Sequence, residues 1–201
     1  FLFLIGHIAL KHMQYLEDIQ NELTRRKNLS SDDKDKDAAN ASLEDELGIN
    51  AGADDTDEYI QSITQNELVL KNLLGSFAPL IIAVCSNEKN RFNDHMVRSA
   101  AVLALCKFMC VSSEFCEKHL RLIFTLLERA PESWIRSDVI IALGDLASRF
   151  PNQVDAWTPK LYARLRDEDA GVRKNTLMVL SHLILNEMVR VKGQISEIAL
   201  C

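Results

Sequence analysis

The sequence predicts an all-α solenoid of antiparallel helix pairs, and three observations lead there. The first is composition: 47% of the 201 residues are apolar, only 6% are aromatic, and there are 7 Gly and 4 Pro. That is enough to bury a core, with too few turn-formers for a many-stranded sandwich or an α/β sheet and its loops. The second is helical spacing of apolar residues along most of the chain. The third is an internal repeat. The stretches Val97 to Leu105, Ile135 to Leu143 and Val172 to Leu180 superpose without a gap, and Arg98, Arg136 and Arg173 fall 38 and 37 residues apart. A branched apolar residue precedes each Arg. Apolar residues follow at +4, +7 and +10, the last being Phe108, Leu146 and Leu183, which makes one buried helix stripe. A period near 38 belongs to two-helix solenoid repeats, whose amphipathic pairs bury their faces only by stacking.

Residues 1–29 read as one long helix of a preceding repeat, with Leu2, Ile5, Ile8 or Ala9, Met13 or His12, Leu16, Ile19 and Leu23 on its apolar stripe. Arg25-Arg26-Lys27 are placed as cations at its C-terminal end. The chain opens at Phe1 inside an apolar pattern and stops at Leu200-Cys201 with no terminating signal, so a piece of a larger protein is expected. Residues 30–58 carry 11 acidic residues against Lys34 and Lys36 without sustained periodicity, and read as an acidic disordered insert. A modifiable acidic arm is the functional version of that insert; a solvated loop is the plainer one.

Residues 59–201 are read as the repeats, in pairs at about 77–109, 113–149 and 158–188. Gly75-Ser76 ends an earlier helix, and Pro79 lies in the first turn of the next. Ser112 or Ser113 caps a helix with Glu114 in its first turn and Cys116, Leu120, Ile123 and Leu127 on its face, ended by Pro131. Thr158-Pro159 is expected to open the following helix as cap and first-turn proline.

The net charge of −6 conceals two halves. Outside the acidic segment 21 basic residues face 18 acidic ones, a weak surplus that permits an anionic partner without arguing for one. Five irregularly spaced cysteines suit a reducing compartment. No apolar run reaches the length of a bilayer span, and the phosphate-loop and dinucleotide fingerprints are both missing. Neither a membrane nor a small-molecule substrate or cofactor is expected.

Several words in the repeats are more specific than their period. They are Val111-Ser112-Ser113-Glu114-Phe115-Cys116-Glu117, Ala142-Leu143-Gly144-Asp145-Leu146-Ala147, Arg149-Phe150-Pro151-Asn152, Trp157-Thr158, Val172-Arg173-Lys174, His182-Leu183-Ile184-Leu185-Asn186 and Val191-Lys192-Gly193-Gln194-Ile195-Ser196-Glu197. The Val/Ile-Arg step, with Asp167 five residues before Val172, is similar to the HEAT-repeat consensus. Together these words resemble the condensin complex subunit 1 family, the non-SMC HEAT-repeat subunits of condensin I, closely over 85–201 and in pattern over 1–84. Asp138 departs from the neutral Asn expected there, which lowers the local positive charge. The resemblance implies a HEAT-repeat α-solenoid, a right-handed superhelix of helix pairs. It implies a non-enzymatic scaffold in mitotic chromosome condensation, partnered by a kleisin, two SMC ATPases and double-stranded DNA without sequence preference. Location in the nucleus and on mitotic chromosomes, and also in the cytoplasm, goes with that role. The alternative is another HEAT or armadillo-type scaffold that binds peptides and makes no DNA contact.

Two groups of cations are candidates for function. Arg98, Arg136 and Arg173 recur once per repeat at helix starts, where a cation opposes the helix dipole and needs a compensating partner. An inter-repeat ladder to acidic residues or carbonyls, Asp167 among them, answers that need better than phosphate binding. Arg164, Arg166, Lys174, Arg190 and Lys192 lie outside the ladder and are the candidate DNA-backbone contacts, each with a solvated face as its plainer reading.

Other constellations point away from chemistry. Cys106, Cys110, Cys116 and His119 are poorly spaced for zinc, and Cys106 aligns with Gly144 and Ser181, a position that asks for a small side chain. Ser137, Asp145 and His182 lack a nucleophile elbow. Trp134 and Trp157, at inter-helix corners, are expected to seal junctions.

Overall fold

The computed structural model describes residues 1–34, 58–88 and 90–188. Helix α1 spans Leu2–Lys34, and a helical turn at 58–62 continues into a π-turn at Ile63–Glu67 and a 3₁₀ turn at Gly75–Phe77. Then follow α2 (Ala78–Ser86), α3 (His95–Val111), α4 (Ser113–Arg129), α5 (Ser133–Arg149), α6 (Pro151–Val154), α7 (Thr158–Ala163) and α8 (Ala170–Leu185). No strand occurs among the described residues, and none of their helices is long and apolar enough to cross a membrane.

The long helices lie in two layers. α1, α3, α5 and α8 stack side by side, each on the next, while α2 packs on α3, α4 bridges α3 and α5, and α7 meets α8. The stripe read from the repeat is the seam between the layers: Val102, Leu105 and Phe108, then Ile140, Leu143 and Leu146, then Leu180 and Leu183 are buried. Burying each Leu or Phe of this kind contributes about 1.5–3 kcal/mol, so the stack rather than any isolated pair sustains the fold.

Close approach within the α1/α3/α5/α8 layer depends on small residues. A Cβ on Gly6 of α1 would lie 2.7 Å from the Ala104 Cα of α3, and one on Gly144 of α5 would lie 2.9 Å from Val179 Cγ1 of α8. Cys106 is buried on α3 at the aligned position.

The punctuation follows the sequence in part. Ser112 caps α4 by accepting from the Phe115 amide, and Asp94 and Asp169 cap α3 and α8 by accepting from Val97 and Val172. Pro79 lies in the first turn of α2. At the end of α2, Asn87 takes a left-handed conformation (φ 42°) and clasps Phe92, accepting from its amide at 3.0 Å and donating to its carbonyl at 3.1 Å.

Three expectations are corrected. α1 continues to Lys34 rather than ending near residue 29, because no Gly or Pro lies between Arg25 and Lys34 to end it; Arg25 and Arg26 accordingly pair with Glu22 inside the helix. The third pair begins at Pro151 rather than at residue 158. There the chain runs through α6 and the 3₁₀ turn Asp155–Trp157 into α7 without leaving helical conformation. With no extended residue to set its side chain, Thr158 is no cap, and its buried hydroxyl has no partner among the described residues. The remainder of the acidic segment, 35–57, lies outside the described residues.

Candidate functional site

The repeated arginines organise the junctions between helix pairs. Arg136, near the start of α5, has only 5% of its side chain exposed and faces Asp167, at 2%, in the loop before α8. Its Nε donates to Asp167 Oδ2 at 3.0 Å and its Nη2 to Oδ1 at 2.8 Å. The remaining edge donates from Nη1 to the carbonyls of Ala130 and Pro131 at 2.8 and 3.1 Å, so the planar fork is saturated. Burial pushes the Asp167 carboxyl up, but Arg136, the Asp169 amide and Arg164 outweigh it and hold the group below the usual carboxylate range.

The other two arginines share parts of this arrangement. Arg98 of α3 pairs with Glu132, the residue that opens α5. Arg173 of α8 donates from Nη1 to the carbonyls of Asp167 and Glu168 at 2.8 and 3.1 Å, the same i−6 and i−5 positions that Arg136 reaches. The acidic partner shifts along the chain for a local reason. Glu132 makes no cap bond to its own helix and meets Arg98, whereas Asp169, aligned with Glu132, is occupied in capping α8, so the carboxylate that Arg136 grips lies two residues earlier.

A second rung, absent from the sequence reading, runs beside the first. Ser99 donates to Asp138 Oδ2 at 3.4 Å, and Asn175 donates to Ser137 Oγ at 2.5 Å. Both join the residue after the repeated Arg to the residue two beyond it in the next repeat. Aligned Ser99/Ser137 and Asp138/Asn175 were its only trace in the sequence.

The candidate phosphate contacts are divided. Arg164 is only part-exposed, and its Nη1 binds Asp167 Oδ2 at 3.2 Å, so it belongs to the ladder and not outside it. The cause is the 3₁₀ turn Arg164–Arg166, which folds the side chain back onto the loop three residues ahead. Arg166 and Lys174 are exposed on either side of that loop. Arg190 and Lys192 lie outside the described residues.

The remaining constellations are packing features. Cys85, Cys106, Cys110 and Cys116 are free thiols, buried except for half-buried Cys110, and among the described residues no group of acidic, His or Cys side chains could hold a metal. Ser137 accepts from Asn175 and His182 meets Asn186, while Asp145 feels the His182 charge without a hydrogen bond to it, so the three form no relay. Trp134 packs on His95 with ring centres 4.1 Å apart, and Trp157 stacks on Phe124 at 4.7 Å.

Stacked helix pairs joined by buried arginine–carboxylate contacts define an α-helical repeat protein. Comparison with known proteins narrows the class. The profile for non-SMC mitotic condensation complex subunit 1 matches residues 134–201. Condensin complex subunit 1 of Xenopus laevis is 47% identical over 98% of this chain, that of Homo sapiens is 45% identical over 98%, and that of Saccharomyces cerevisiae is 39% identical over the whole chain. The chain is thus similar to condensin complex subunit 1 along nearly all of its own length, and it spans about 15% of the length of the frog and human relatives and 18% of the yeast one.

Proposed function

We propose that this chain is part of a condensin scaffold that supports mitotic chromosome condensation, holding a kleisin segment and the backbone of double-stranded DNA while partner SMC ATPases supply the hydrolysis. The observation that carries this reading is the similarity to condensin complex subunit 1 from frog, human and yeast along nearly the whole chain. Under it the protein is non-enzymatic and works in the nucleus and on mitotic chromosomes, with a cytoplasmic pool. The phosphate contacts come from Arg166 and Lys174, joined by Arg190 and Lys192. Arg164 is left out because Asp167 holds its guanidinium.

The mechanism is electrostatic. Cations on a stiff surface displace counterions from the duplex, so affinity falls with salt by a slope of about −0.9 per phosphate contacted and is indifferent to base sequence. Fluorescence anisotropy of labelled duplex over a salt series tests this, using wild type beside a variant with Arg166, Lys174, Arg190 and Lys192 changed to Glu and checked for helicity. Binding that falls with salt and is lost in the variant supports the reading. Equal binding by both proteins, or affinity unchanged at high salt, refutes the assignment of these residues and favours a scaffold that binds peptides alone.

A further inference from the structure

The exposed face of the α1/α3/α5 layer holds a groove of about 540 Å³ away from the arginine ladder. Its lining extends from Leu103 to Cys110 on α3 and from Asp138 to Arg149 on α5, with Leu10 and Met13 on α1, so it follows the helix axes for about 10–16 Å. The floor is apolar. Ile141 is 49% exposed in it, and Leu103 and Met178 occupy the aligned position in the neighbouring repeats, Met178 at 60% exposure. A large branched side chain left this open in the middle of a packed helix is unspent apolar surface.

Charge decides what that surface fits. Asp138 and Asp145 lie seven residues apart on α5, about 10 Å along the axis, on either side of Ile141. Asp145 has no hydrogen bond or ion pair among the described residues, and Asp138 has the long bond from Ser99. The groove's cations are already engaged: Arg149 with Glu17 at 2.8 Å, and Lys107 over the Phe3 ring at 4.1 Å. Burial pushes both aspartates up from the usual carboxylate range, against the pull of Ser99 and His95 on one and of His182 on the other, a cost that an arriving cation relieves. A duplex laid here would instead set phosphates against two carboxylates.

We propose that the groove above α3 binds an amphipathic helical segment of a protein partner, in which an apolar side chain packs on Leu103 and Ile141 while two Lys or Arg residues seven apart meet Asp138 and Asp145. Residues seven apart on a helix are two turns apart and share one face, which matches the spacing of the two carboxylates. The inference is independent of the phosphate contacts proposed above, since neither Asp138 nor Asp145 is among them.

The test titrates the full chain into a fluorescein-labelled synthetic helix of Ala, Leu and Lys with that pattern. One control peptide has its lysines moved to the opposite face, and another has them replaced by Glu. The patterned peptide is expected to bind roughly tenfold tighter than either control, and Asp138→Asn with Asp145→Asn to lose roughly tenfold, in line with modest energies for partly exposed ion pairs. Asp138→Lys with Asp145→Lys, shown to be helical by circular dichroism, is expected to transfer the preference to the Glu peptide. Equal binding of the three peptides, wild-type affinity in the Asn variant, or an unswitched preference in the Lys variant overturns the proposal. Duplex DNA bound more tightly by the Asn variant, with no selectivity among peptides, overturns it in favour of a nucleic-acid face.

Discussion

Arg136 of α5 and Asp167, in the loop before α8, are joined by two parallel hydrogen bonds of 3.0 and 2.8 Å although both side chains are almost fully buried. They belong to consecutive repeats, so the pair fixes how one helix pair sits on the next. Removing either partner leaves an uncompensated charge in the junction, and Asp167→Ala or Arg136→Ala is expected to lower the unfolding free energy by about 3–5 kcal/mol. Arg136→Lys should recover little, because one ammonium cannot serve two carboxylate oxygens and two carbonyls at once. Urea unfolding followed by circular dichroism measures these differences, and a change below about 1 kcal/mol for Asp167→Ala would show that the junction does not depend on the pair.

The same contact predicts an acid limb in the stability profile. Asp167 is held below the usual carboxylate range in the folded chain, so the folded state binds its proton more weakly than the unfolded state. Its contribution is therefore complete above the ordinary carboxylate pKa, near 3.8, and is lost as pH falls through the lower folded value. Asp138 and Asp145 have the opposite sign: burial raises them, so their favourable contribution is present at acid pH and disappears as pH rises through the raised value. Asp167→Asn should flatten the acid limb, whereas Asp138→Asn and Asp145→Asn should leave the chain as stable or more stable at neutral pH. Thermal melts across the acid-to-neutral range distinguish the two signs.

Thiol chemistry should be nearly silent at the four cysteines among the described residues. Burial pushes Cys85 and Cys116 up to about 12 and Cys110 to about 11, and raises Cys106 well above the ordinary value near 9. Since the thiolate is the reactive form and each pKa unit is tenfold in its population, Cys85, Cys110 and Cys116 should react roughly two to three orders of magnitude more slowly than in urea, and Cys106 is slowed in the same direction. Disulfide-exchange titration at mildly alkaline pH, followed by mass spectrometry, is expected to modify half-buried Cys110 first among these four. Rapid native labelling of Cys106 would contradict its place in the core.

The helix stack was legible in the sequence because its determinants repeat. The Arg step, the +4/+7/+10 stripe and the Ser112 cap are local patterns, and the structure sets them where the spacing put them. What escaped were choices made between repeats. Nothing in the word around Asp169 reveals that capping α8 occupies its carboxylate and passes the acceptor role for Arg136 to Asp167. Arg164 looked like a surface cation because its partner lies only three residues ahead, within reach solely through a 3₁₀ turn. Thr158-Pro159 read as a helix start because that pair suits a chain arriving in extended form, whereas here it arrives already helical. The groove depended on the α1 wall, which sequence spacing alone could not bring beside α5.

Close approach at Gly144 offers a test of the layer packing itself. An added Cβ would lie 2.9 Å from Val179 Cγ1, a branched side chain with little rotamer freedom in a helix. At Gly6 the nearest atom is backbone, Ala104 Cα at 2.7 Å, and cannot rotate away. Replacing Gly by Ala in a helix otherwise gains roughly 0.5–1 kcal/mol, while overpacking costs about 1–3 kcal/mol. Both Gly144→Ala and Gly6→Ala are therefore expected to destabilise, Gly6→Ala more. Val179→Ala should rescue Gly144→Ala, leaving the double variant more stable than the sum of the single effects, because the clash is confined to those two side chains. No variant of Ala104 should rescue Gly6→Ala comparably, since the obstacle there is the main chain of α3. A double-mutant cycle in urea measures both couplings, and additive effects for Gly144→Ala and Val179→Ala would mean that α5 and α8 are not held at the separation described.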